Sequence, residues 1–94
     1  LGKSGLKALQ YMALEIPTVA ERVGTNTTII EHGVNGFLAE GRSEWLRALR
    51  RLVREPAVRK TMGRRGRRTI EERYSVAVNA PVYLEVLERA LAGR

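Results

Sequence analysis

The sequence predicts an α/β fold of two short parallel strands and several helices, with helix dominating the carboxy-terminal half. Three observations lead there. Apolar residues recur at spacings of three and four ahead of Thr18-Val19-Ala20, a short apolar and partly β-branched run of the kind that is buried on both faces. A second such run, Phe37-Leu38-Ala39, follows after a cluster of turn residues. From residue 42 onward the pattern is helical alone. Two strands are too few for a self-sufficient sheet, so the chain reads as a piece of a larger one.

The elements follow in order. Gly2-Lys3-Ser4-Gly5 is a turn signal, with Ser4 the expected N-cap of a helix whose apolar side is Leu6, Leu9, Ala13 and Ile16. Pro17 stops that helix. Glu15 stands where a left-handed C-cap is expected, a conformation that costs a residue with a β-carbon roughly 1 kcal/mol relative to glycine. After the first strand, residues 24–28 supply turn and cap residues before a brief helical turn at Ile29-Ile30-Glu31. Gly33, Asn35 and Gly36 break the chain again, and His32 reads as a residue of that turn. The second strand then lies parallel to the first if the helical turn between them is a right-handed crossover. Ser43 is the expected cap of the next helix, in which Leu46, Leu49 and Val53 form an apolar stripe against a face of arginines. Pro56 suits the first position of a further helix, with Val58, Met62 and Ile70 inward and Gly63 and Gly66 weakening it by about 1 kcal/mol each. Tyr74-Ser75 marks a new cap, and Pro81 kinks or restarts a last helix carrying Leu84, Leu87 and Leu91.

Composition narrows the function. Ninety-four residues make one small domain at most, here taken as residues 1–94 with an α/β part at 1–41 and a helical tail at 42–94. There is no cysteine and one histidine, so thiolate and histidine metal centres are excluded, and no metal or cofactor is expected. No apolar run reaches the roughly 20 residues of a membrane span, no signal peptide is visible, and a cytoplasmic setting fits. The chain opens at Leu1 directly on a glycine-rich turn, as expected of a piece of a longer polypeptide. The net charge of +7 belongs to the second half: residues 1–40 hold three cations against four glutamates, residues 41–94 fourteen against six.

Two features have chemistry to offer. The first is the glycine-rich start of the first helix, where unpaired N–H groups and about half a positive charge can receive a phosphate, with Lys3 and Lys7 adding charge. Taken alone, the stretch reads as an ordinary loop before a helix, since it matches neither the Walker loop nor the dinucleotide fingerprint. Gln10, about 9 Å further along the axis, has an amide able to bond a sugar hydroxyl, although such a residue is usually just solvated. The second feature is Arg59-Lys60, Arg64-Arg65 and Arg67-Arg68. These pairs fall around several helix faces without aromatic neighbours for base stacking, which favours a solvated surface, then an anionic membrane surface, and nucleic acid least. No catalytic base, paired acids or triad emerges.

Read continuously, Gly2-Lys3-Ser4-Gly5-Leu6-Lys7-Ala8-Leu9-Gln10-Tyr11-Met12-Ala13, then Ile16-Pro17-Thr18-Val19-Ala20 and Val23-Gly24, resembles the donor-site signature of the group 1 glycosyltransferases. The run Ile29-Ile30-Glu31-His32-Gly33-Val34-Asn35-Gly36-Phe37-Leu38 is similar to that family's E-I-I-x-D-G-x-N-G-F-L segment, and Met62-Gly63 and Tyr74-Ser75 continue the likeness over nearly the whole chain. The resemblance implies part of the Rossmann-like carboxy-terminal domain of a GT-B enzyme, retaining the anomeric configuration of a nucleotide-activated sugar. The acceptor would bind mainly to an amino-terminal domain not among these residues, so the piece is not expected to be catalytically complete.

By the same resemblance, Gly2, Lys3, Ser4, Gly5 and Leu6 would place backbone N–H groups against the donor's diphosphate or sugar, and Gln10 would meet the ribose. The family commonly has two glutamates eight residues apart at the positions held here by Gly2 and Gln10. Glutamine can still bond a ribose diol; glycine cannot replace a carboxylate. The rival reading is a small basic module that docks on anionic lipid or nucleic acid. A third is self-association through the exposed sheet edge.

Overall fold

The computed structural model describes residues 2–74, and of residues 2–5 the backbone alone. The expectations for Ser75, Pro81 and the last helix lie outside the described residues. The elements are α1 (Gly2–Ala13), β1 (Val19–Glu21), α2 (Asn26–Ile29), β2 (Phe37–Ala39), α3 (Gly41–Arg54) and α4 (Pro56–Arg73). β1 and β2 pair in parallel, with Val19 opposite Phe37, Ala20 opposite Leu38 and Glu21 opposite Ala39. This is the α/β arrangement of a partial Rossmann-like sheet.

β2 is buried along its whole length, as an apolar strand covered on both faces should be. Its side chains alternate between two cores. Phe37 packs with Ala48 and Leu52 of α3 and with Met62; Leu38 packs with Ala8 and Met12 of α1, Ile29, Ile30 and Ile70. Met62 and Ile70 both belong to α4. That helix therefore passes from one side of the sheet to the other and closes both cores.

The crossing explains the two glycines inside α4. A Cβ built on Gly63 would overlap the carbonyl oxygen of Glu15, and one on Gly66 would stand 3.3 Å from the Asn35 carbonyl oxygen and 3.4 Å from the Met12 side chain. These positions lower helix propensity, yet they let α4 approach the end of α1. Glu15 has φ of 61°, the expected left-handed cap. The Glu15 N–H donates to the Met12 carbonyl at 3.1 Å and the Ile16 N–H to the Tyr11 carbonyl at 3.0 Å, which completes a Schellman turn.

Several sequence expectations are corrected. α1 starts at Gly2, so Ser4 lies within its first turn and is not the cap. Glycine is tolerated there because the first N–H groups of a helix have no internal acceptor to lose. Ile16 lies beyond α1 and is exposed, because the left-handed residue before it ends the helix. α3 begins at Gly41 with Glu40 as its N-cap, not Ser43. Glu44 reaches back so that its Oε1 accepts from the Glu40 N–H at 2.9 Å, which fixes the helix start there and leaves Ser43 inside the first turn. The buried residues of α3 are Ala48 and Leu52, while Leu46, Leu49 and Val53 are exposed.

The arginines of α4 are also not one surface. Arg59 Nη1 donates to the Leu52 and Val53 carbonyls at 2.6 and 3.0 Å, closing the end of α3. Arg67 Nη1 donates to the Ala13 carbonyl at 2.9 Å and so closes α1. A cation at a helix carboxyl end meets both the unpaired carbonyls and the negative pole.

Candidate functional site

The head of α1 and the carboxyl edge of the sheet form the candidate site. The N–H groups of Gly2, Lys3 and Ser4, in the first turn of α1, point along its axis with no intrahelical acceptor. In an α/β layer, a helix and the strand that follows it through a short link run in opposite directions, which puts the head of α1 beside the carboxyl end of β1. Ligands of open α/β sheets bind at that edge. Leu6 is buried; Lys7 is exposed, and Gln10, one turn on, is half-buried. Lys7 and Gln10 are three residues apart and share a side of α1.

The carboxyl edge itself is braced. Arg22 Nη2 donates to the Leu38 carbonyl at 3.3 Å and to Glu44 Oε1 at 3.2 Å. Trp45 Nε1 donates to Glu21 Oε1 at 3.1 Å. Asn26, almost wholly enclosed, donates from Nδ2 to the Glu21 carbonyl at 3.0 Å, and its Oδ1 is a buried acceptor without a partner among the described residues. These groups tie the ends of both strands to α2 and α3. A ligand at the edge would meet a framework already set by hydrogen bonds.

Asn35 is the clasp on the opposite side. Its Oδ1 accepts from the Glu31 N–H at 2.8 Å, and its Nδ2 donates to the Ile29 carbonyl at 3.2 Å and to Thr69 Oγ1 at 3.0 Å. His32 accepts the Leu38 N–H on Nδ1 at 3.0 Å and stacks edge-on against Phe37, with 5.6 Å between ring centres. That bond commits Nδ1 to the fold, in keeping with a residue of the turn. Sequence reasoning placed Asn26 and Asn35 in turns without these roles. Their partners are backbone groups that only the folded chain brings near. Among the described residues, no three of the side chains His, Cys, Asp or Glu gather as a metal site, and no helix is long and apolar enough to cross a membrane.

Known proteins resemble the chain over the same stretch. The human alpha-1,3/1,6-mannosyltransferase ALG2 is 33% identical over 72 residues, covering 76% of this chain and 17% of that protein. The D-inositol 3-phosphate glycosyltransferase of Pseudarthrobacter chlorophenolicus is 42% identical over 62 residues, covering 64% of the chain and 15% of the relative. That of Kineococcus radiotolerans is 33% identical over 100 residues, covering 96% and 23%. The chain thus spans less than a quarter of the length of these relatives. No solved structure matches it. The family model described as glycosyl transferases group 1 matches residues 3–69, most of the chain and all of the candidate site but Gly2, and the protein belongs to that family.

Proposed function

We propose that the chain is the donor-orienting part of a glycosyltransferase that moves a glycosyl group from a nucleotide-activated sugar to an acceptor. The observation that carries this is the match to the group 1 family over residues 3–69, together with the glycine-rich first turn of α1, whose first N–H groups lie toward the carboxyl edge of the sheet. Such donors are already in place before the reaction, so they stabilise charge on a departing diphosphate without reorganisation. Lys3 and Lys7 add positive charge, and Gln10 offers its amide to the ribose hydroxyls. The relatives act as a mannosyltransferase and as glycosyltransferases for inositol 3-phosphate; glycosyl transfer is what their names share, and the reading stays at that level.

The test is donor binding by the full-length protein. Gln10→Ala is expected to weaken the affinity for the nucleotide sugar by about 1 to 2 kcal/mol, measured by calorimetric titration, with little change in acceptor binding. Unchanged donor affinity would remove Gln10 from the site.

A further inference from the structure

α3 has two unlike sides. One buries Ala48 and Leu52 beside Phe37 and Met62. The other carries Leu46, Leu49 and Val53, whose exposures of 39%, 45% and 74% leave an apolar row open. Each of the three is followed at once by an arginine, as Leu46-Arg47, Leu49-Arg50 and Val53-Arg54. Successive residues of a helix are about 100° apart, so a row of arginines runs alongside the apolar row for its whole length. Arg42 adds a further cation at the amino end. Arg47, Arg50 and Arg54 make no hydrogen bond or ion pair with other described residues. The two glutamates of this stretch are occupied elsewhere: Glu44 with Arg22 and the Glu40 N–H, Glu55 with Arg51.

We infer that this side of α3 docks the protein on an anionic lipid bilayer. Leu46, Leu49 and Val53 enter the boundary between headgroups and acyl chains, and Arg47, Arg50 and Arg54 meet lipid phosphates. An apolar row, a cationic flank and low overall hydrophobicity are what an interfacial helix requires. α3, about 21 Å long by its rise, is too short and too charged to span the bilayer, so it lies in the surface plane. A shallow depression of about 480 Å³ on the arginine side, lined by Ser43, Leu46, Arg47, Arg50, Arg51, Arg54 and Glu55, offers a phosphate a seat among four guanidinium groups, with the one carboxylate already paired to Arg51. The other occupants fit less well. A two-fold contact between copies would set arginine rows against each other, and a polyanion in solution would leave the leucines in water.

Co-sedimentation of the full-length protein with vesicles tests the inference. Binding is expected to vesicles of phosphatidylcholine mixed with phosphatidylglycerol, not to phosphatidylcholine alone, and to weaken as salt is added. The double change Arg50→Gln and Arg54→Gln should weaken it roughly 30-fold, taking each surface arginine at its typical value. Leu49→Gln with Val53→Gln should also weaken it several-fold, although no charge is altered. All four positions are exposed, so thermal melting curves should match the parent and keep the result readable. No binding by the parent, or full binding by the Leu49 and Val53 variant, would overturn the inference. So would an equal loss from changing Arg64, Arg65 and Arg68 of α4, or a leucine variant that turned a dimer into a monomer and bound vesicles as before.

Discussion

Replacing Gly63 with alanine is expected to destabilise the fold by about 2 kcal/mol, against the sign that helix propensity alone would give. In an isolated helix the change gains about 1 kcal/mol. Here the new Cβ would overlap the Glu15 carbonyl oxygen, a backbone atom held by the Schellman turn that ends α1. Neither partner can rotate away, so α4 must lift from α1 and loosen Met62 and Ile70 in both cores. Overpacking of this kind costs about 1 to 3 kcal/mol and at times more, which outweighs the propensity gain. Gly66→Ala is the matched comparison. Its Cβ would meet the flexible Met12 side chain at 3.4 Å and the Asn35 carbonyl oxygen at 3.3 Å, and a shift of a few tenths of an ångström relieves both. Its stability is expected to stay within about 1 kcal/mol of the parent. Denaturant midpoints separate the two. A Gly63→Ala protein more stable than the parent would show that the crossing does not govern this position.

Asn35→Ala is the second large effect, about 2 to 3 kcal/mol. The side chain is buried and holds three partners, the nearby Glu31 N–H and Ile29 carbonyl and the distant Thr69 hydroxyl. Alanine leaves those groups facing a gap too small for them to rearrange, and unpaired buried groups lose their full desolvation cost. Asn35→Asp separates the donor from the acceptor role. Aspartate can still accept from Glu31, but it turns a second oxygen toward the Ile29 carbonyl. Its loss at neutral pH should therefore be as large as that of alanine. An aspartate variant with parental stability would mean that the bonds to Ile29 and Thr69 contribute little.

Residue pattern made the local features legible and left the long-range ones hidden. The strands, the left-handed Glu15, Pro56 at the head of α4, and Met62 and Ile70 on its inner side all follow from short-range chemistry that neighbouring residues display. α3 is the instructive failure. Trp45, Ala48 and Leu52 have the same spacing as Leu46, Leu49 and Val53, so periodicity yields two candidate inner rows. Hydrophobic patterning favours the larger aliphatic row. The space beside Phe37 accepts the row with the small Ala48, a matter of fit that no spacing reveals. The glycines of α4 read as weak points because propensity is local, whereas the carbonyl they admit lies far away in sequence. Arg59 and Arg67 looked like surface charge for the same reason: the helix ends they close belong to other elements. At the candidate site, the helix-head chemistry was legible because glycine, lysine and the apolar spacing are adjacent. The bracing by Glu21, Arg22, Asn26, Glu44 and Trp45 was not, since every bond joins separate segments.

The passage of α4 across both sides of the sheet also sets an order in time. A ribosome delivers α1, the two strands and α3 before the helix that closes either core, and Ile70 joins the cluster around Met12 only after nearly all described residues have emerged. Until then the clusters around Leu38 and Phe37 lack Ile70 and Met62, and the side of each that α4 covers stays open. Contacts so far apart in sequence make closure slow relative to helix formation. A chain halted short of Ile70 leaves apolar surface open, the condition in which chains aggregate.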